Sequence, residues 1–189
     1  MSHRMPALAL VLIAIVAVPA SAQKAYVRDV AHSQINFVAE SQLVDAHGTF
    51  DQWDAEIAFD PTNLSASSVL ITIDAKSINT RIERRDTHLK SNDFFATDSF
   101  PAITFKSTIV NPLADDRVNI TGDLTIRGRT KTITIPSRLV FYDAARDAGR
   151  VKGETTILRT DFGVDYQPAV NKIQPEIEIQ FDISFVAKK

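Results

Sequence analysis

PEIEIQFDISF, residues 175–185, decides the fold. Its apolar members Ile177, Ile179, Phe181, Ile183 and Phe185 alternate strictly with Glu176, Glu178, Gln180, Asp182 and Ser184. Side chains of a strand point to opposite faces in turn, so this segment reads as extended, with one dry face and one wet one. A dry face needs a cover, and the same period recurs upstream. Ile35, Phe37 and Ala39 alternate in SQINFVAES, and Val69, Ile71, Ile73 and Ala75 share one face of VLITIDA. AITFKSTIV offers Ile103, Phe105, Ser107 and Ile109; RVNITGDLTIRG offers Val118, Ile120, Gly122, Leu124 and Ile126. KTITIPSRLVFY places Ile133, Ile135, Leu139 and Phe141 together.

With GTFDQWDAEIAF and RVKGETTIL added, the pattern predicts an all-β chain of about eight antiparallel strands. Closing such strands into a barrel buries every dry face and removes the sheet edges. A two-sheet sandwich is the competing arrangement. In GTFDQWDAEIAF the phase slips, because Phe50 has one parity while Trp53, Ala55, Ile57 and Phe59 have the other. That slip predicts a bulge or bend at Asp51 and Gln52. Gly122, Pro136 and Gly153 mark further bends.

One segment breaks the pattern. In RRDTHLKSNDFF, residues 84–95, ionisable groups crowd together, and the spacing becomes helical. Thr80 and Glu83 stand in the T-x-x-E spacing of a capping box. Ile82 and Leu89 share one helical face, and Asp86 precedes Lys90 at the favourable i,i+4 spacing. Ser91 is placed to cap a second short turn carrying Phe94 and Phe95, after which Pro101 restores extended chain. The segment reads as a helical insertion anchored by Ile82, Leu89, Phe94 and Phe95, with Arg84 and Arg85 as surface charges. It is a brace and lid rather than a catalytic centre.

The totals narrow the chemistry. Residues 1–22 carry Arg4, the apolar run ALALVLIAIVAV and PASA, the marks of a signal peptide cut before Gln23. That implies export, leaving residues 23–189 as one domain with no stable membrane span. A formal net charge of −2 gives no electrostatic reason to bind nucleic acid. With no cysteine there is no disulfide, thiolate nucleophile, iron–sulfur cluster or cysteine-bound zinc.

Catalytic patterns are thin. His88 lies near Asp86 and Asp93, but Asp86 and His88, two apart, point to different faces of a helix. His32, His47 and His88 form no local metal-binding pair. DFG at residues 161–163 stands without the other kinase motifs, so Phe162 reads as a packing residue and Gly163 as a turn. An enzyme acting on an isoprenoid diphosphate would need clustered acids for magnesium, and only Asp115 and Asp116 adjoin, in an apparent loop.

What remains is an apolar interior, either filled solid or enclosing a ligand. If it encloses one, Phe37, Trp53, Ile57, Ile73, Phe105, Ile120, Leu124 and Ile179 have the parity to face it. Leu89 and Phe94 from the insertion, and Phe162, would complete the lining.

The chain resembles the YceI-like family of periplasmic lipid-binding proteins. HSQINF, GTF, SINTRIERRDTHLKSNDFF, FPAITFKST, GDLTIRGRTKTITI and RTDFGV occur in the family's order, from about Tyr26 to Phe185. The resemblance implies a lipocalin-like, eight-stranded antiparallel barrel with a helical insertion. It also implies a hydrophobic tunnel for a polyisoprenoid chain, no metal or redox cofactor, no turnover, and often a homodimer. A prenylated quinone, a fatty acid or a fatty amide is the alternative ligand. Many relatives carry a histidine just after the first long strand, where this chain has Ser41, so no head-group contact there transfers.

Overall fold

A computed structural model describes residues 23–188; the segment read as a signal peptide, residues 1–22, lies outside the described residues. The strictly alternating stretch becomes the long strand β11 (Ile173–Ala187), and the remaining strands are β1 (Lys24–Arg28), β2 (Gln34–Ser41), β3 (Ala46–Phe50), β4 (Trp53–Phe59), β5 (Ser68–Asp74), β6 (Ile78–Asn79), β7 (Ala102–Pro112), β8 (Arg117–Ile126), β9 (Arg129–Asp143) and β10 (Ala148–Leu158). One helix, α1 (Glu83–Lys90), separates β6 from β7.

All neighbours pair antiparallel, and the ring closes because β11 carries β2 along residues 173–182 and β1 along residues 185–187. Three of the barrel's eight staves are therefore broken in two: β1 with β2, β3 with β4, and β5 with β6. The phase slip at Asp51 and Gln52 is the break between β3 and β4. There the chain bends so that Phe50 and Trp53, three apart, are both buried. The adjacent stave bends beside it. Asp51 N donates to Ser77 O at 3.1 Å and Asp74 N to Gln52 O at 3.0 Å, so the ladder survives both kinks.

Two side chains expected inside face outward. A register shift between Ser107 and Ile109 reverses the parity of β7, leaving Ile109 60 % exposed. A second shift, between β9 and β10 at Arg150 and Val151, turns Phe141 out and brings Tyr142 against the core instead. Each bulge adds one residue to a strand and flips all that follow.

The insertion is helical, but it starts differently from the capping box. The N-cap is Ile82, which makes no side-chain cap bond. Thr80 lies two residues ahead of it and donates its N–H to Asp86 Oδ1 at 2.8 Å, while Arg85 Nε donates to Thr80 Oγ1 at 2.8 Å. Asp86 thus faces Thr80 rather than Lys90. Ile82 is exposed and anchors nothing, whereas Leu89, Phe94 and Phe95 pack on the core.

Candidate ligand-binding cavity

The dry faces do not meet at the barrel axis. They leave a cavity of about 470 Å³ under α1, and a second of about 90 Å³ deeper in. The larger falls within the range of small-molecule sites, whose walls are mostly apolar. Phe37 on β2, Ile73 on β5, Phe105 on β7, Leu124 on β8 and Ile179 on β11 line it. Leu89 and Phe94 close it from the insertion, and Phe162 enters from the 3-10 turn Arg159–Phe162. Gly163 ends that turn in the left-handed region, at φ 71°. Ile57 and Ile120 line the deeper chamber, not the larger one.

Trp53 lines neither chamber. Its indole is 5 % exposed within the barrel wall, and the Arg28 guanidinium lies 4.0 Å above the ring, which fixes it there. Alternation predicts the face correctly but not the covering residue. Arg28 follows the same inward parity as Tyr26, and burial pushes its pKa below the ordinary guanidinium value, with Asp54 opposing.

The floor is aromatic. Tyr26 meets Phe185 at 5.4 Å and Phe59 at 5.8 Å between ring centroids, both edge to face. The Tyr26 hydroxyl lies 3.0 Å from that of Tyr142, which donates to Asp147 Oδ1 at 3.1 Å. Burial of Tyr26 and its bond to Tyr142 raise its pKa, keeping the phenol neutral.

The mouth is polar in composition but its polar groups are engaged. Arg159, 6 % exposed, donates from Nε to Gln174 O at 3.0 Å, from Nη1 to Val164 O and Tyr166 O, and from Nη2 to Ile173 O at 3.2 Å. Its guanidinium is a clasp that folds residues 164–174 over the rim. Burial lowers its pKa, with Asp165 opposing. Arg127 ties the lid down by donating from Nη2 to Asn92 O at 2.8 Å and from Nη1 to Gly163 O. His88 donates from Nε2 to Asp93 Oδ2 at 2.8 Å, and its ring stands 5.0 Å from both Phe94 and Tyr166.

Several lining residues escaped sequence reasoning. Arg85, read as a surface charge, forms part of the cavity wall, held there by Thr80; Arg84 is exposed. Arg159 and Tyr166 line the mouth too, though no periodicity marks them, because loop closure rather than strand parity brings them in. The only available signal was an arginine directly after a strand, in RTDFG. His32 bonds Asp29, and His47 stands exposed on β3 opposite Val38. Among the described residues, no group of three or more His, Cys, Asp or Glu is placed to hold a metal ion.

Four similarities accompany this geometry. The family model described as YceI-like domain matches residues 26–185. A UPF0312 protein of Vibrio cholerae is 34 % identical over 179 residues, covering 89 % of this chain and 93 % of its own length. Among solved structures, BcnA of Burkholderia cenocepacia superposes with a TM-score of 0.77 at 26 % identity, over 83 % of this chain and 98 % of BcnA. A polyisoprenoid binding domain from Saccharophagus degradans, implicated in plant cell wall breakdown, has the same fold, with a TM-score of 0.69 at 18 % identity over 88 % of this chain and all of that one, 100 %.

Proposed function

Since the chain belongs to the YceI-like family, we propose that it is an exported carrier holding a long polyisoprenoid lipid inside its barrel, without turnover. The observation that carries this reading is the cavity of about 470 Å³, walled almost entirely by hydrocarbon, with a second apolar chamber deeper in the barrel. Burying apolar surface is worth roughly 25 cal/mol per Å², so such a space selects a hydrophobic chain over any polar metabolite. The fold shared with a polyisoprenoid binding domain points the same way. Binding without reaction is supported by the state of the polar groups at the mouth: Arg159 donates to carbonyls, Arg85 to Thr80 and His88 to Asp93. None of these pairs is a nucleophile with its base.

Export is supported by the apolar leader of residues 1–22, and no helix among the described residues is long and apolar enough to cross a membrane. A homodimer is part of the same reading. Mass spectrometry of organic extracts from protein purified out of the periplasmic fraction tests the proposal. A polyisoprenoid is the expected ligand, with an intact mass that starts at Gln23. A fatty acid, a prenylated quinone or an empty barrel would each overturn the assignment of the cargo, and incubation products from an added prenyl diphosphate would overturn the absence of turnover. Sedimentation velocity reads the oligomeric state.

A further inference from the structure

The two chambers share a wall made by Ile71, Phe105, Ile135 and Phe181. These come from β5, β7, β9 and β11, and β7 and β11 stand on opposite sides of the ring of staves. The four side chains therefore form a waist, with Phe105 and Phe181 as its bulky members. Below it lies the chamber of about 90 Å³, ended by Phe59 and Phe185 of the aromatic floor. Protein interiors leave few voids larger than a water, and an apolar void of this kind stays dry. Hydrocarbon is what fits it.

Both waist rings lie against glycine. A methyl group at Gly122 would sit 2.7 Å from the Phe105 ring, and one at Gly153 would sit 2.6 Å from the Phe181 ring. Neither glycine has a positive φ, so what the position requires is space, not a special backbone. With no side chain beneath them, the rings can rest against the wall instead of crossing the lumen.

We propose that the deeper chamber is a terminal subsite for the far end of the isoprenoid chain, and that Phe105 and Phe181, retracted against Gly122 and Gly153, set the chain length that is accepted. This rests on the carrier reading above. Chains that stop at the waist leave the chamber empty, whereas longer ones pass between the rings and fill it. The preference is then for long polyprenyl chains over short ones.

Gly153 is the better test site. A Cβ at Gly122 would also meet Lys106 O at 2.5 Å, which would displace backbone, whereas the neighbours of a Cβ at Gly153 are the Phe181 ring and Ser137 Oγ, both side chains. The full chain, stripped of lipid, is offered an equimolar mixture of farnesol, geranylgeraniol and solanesol, and the retained alcohols are weighed by native mass spectrometry. The wild type should favour solanesol. Gly153→Ala should lift Phe181 into the waist and shift the ratio toward farnesol by about tenfold, the discrimination that a methylene-sized misfit produces in an apolar pocket. Removing the ring as well, in Gly153→Ala/Phe181→Ala, should restore the preference for solanesol. That double variant separates a blocked waist from a damaged fold. An unchanged ratio in a Gly153→Ala protein that still binds, or no recovery in the double variant, overturns the length-setting role alone. A wild type that retains none of the alcohols overturns the carrier reading and this one with it.

Discussion

Phe37 on β2 and Gly48 on β3 are register partners, and the ring of the first covers the backbone of the second so closely that a methyl group on Gly48 would lie 2.3 Å from it. The Phe37 ring lies on the wall of the larger chamber. Gly48→Ala should push the ring inward, lowering lipid occupancy and costing about 1–3 kcal/mol of stability through overpacking. Adding Phe37→Leu should recover both. Thermal melting and native mass spectrometry of the two variants check this, and a fully occupied Gly48→Ala barrel would mean that the ring has somewhere else to go.

Leu124 borders the larger chamber from β8. Leu124→Trp should fold, because the new ring has a cavity to enter, but should displace lipid from it. In a filled core the same change would cost about 1–3 kcal/mol with no ligand to lose. Melting temperature and ligand content measured on this one variant separate the two cases.

Within the lid, Phe94 and His88 should behave differently. Phe94 is buried between His88 and Tyr166, so Phe94→Ala should cost up to roughly 3–5 kcal/mol and hasten lipid release. His88 is half exposed and contributes one bond to Asp93. His88→Ala should leave the ligand content unchanged and cost about 1 kcal/mol. Transfer of a fluorescent prenyl lipid to vesicles reads the release rate. Complete loss of lipid from a folded His88→Ala protein would show that the imidazole makes a specific contact with the cargo.

On the outer face, Asp182 accepts hydrogen bonds from Arg150 Nε at 2.7 Å and lies 3.1 Å from Lys152 Nζ. Its bonds to Arg150, partly opposed by burial, hold its pKa below the ordinary carboxylate value. A depressed folded-state pKa means the unfolded chain takes up the proton first. The pair's contribution is therefore complete above the unfolded pKa of about 3.9 and fades as pH falls through the lower folded value. Asp29, Asp60, Asp98 and Asp147 are shifted in the same direction, so the whole barrel should weaken in acid. Asp182→Asn should cost about 1–3 kcal/mol near neutrality and show a shallower loss below about pH 4. Urea unfolding across that range measures the slope, and an unchanged slope would remove Asp182 from the account.

Strand alternation was enough to read antiparallel strands, their approximate number, and even the bend at Asp51, since parity within one strand is a local property. It left barrel and sandwich both open, because closure is a property of the whole ring. Ile109 and Phe141 were misread because a bulge is defined by the partner strand, and no single segment contains that register. Whether the dry faces touch or stand apart was equally hidden. Ile73 and Leu124 would look the same in a filled core, and their separation depends on the curvature of the whole ring. The capping box failed for a related reason, because the turn at Arg81, φ 64°, moves Thr80 back from the helix start and hands its bonds to Asp86. The residues that hold the mouth together, Arg159 and Arg127, act on loop carbonyls 5 to 36 residues away, at separations that no spacing rule records.

The seam between β1 and β11 has one more consequence. Tyr26 pairs with Ala187, and Lys188 N donates to Ala25 O at 2.8 Å, so the two ends of the described chain lie side by side at the floor. A short linker could splice them, and the chain could be reopened at the exposed turn of Asp115 and Asp116 between β7 and β8. A circular permutant cut there keeps every neighbouring pair of staves while beginning at β8 and ending at β7. What defines this barrel is the cyclic sequence of its neighbours, and the point where translation starts is only one of several places to enter it.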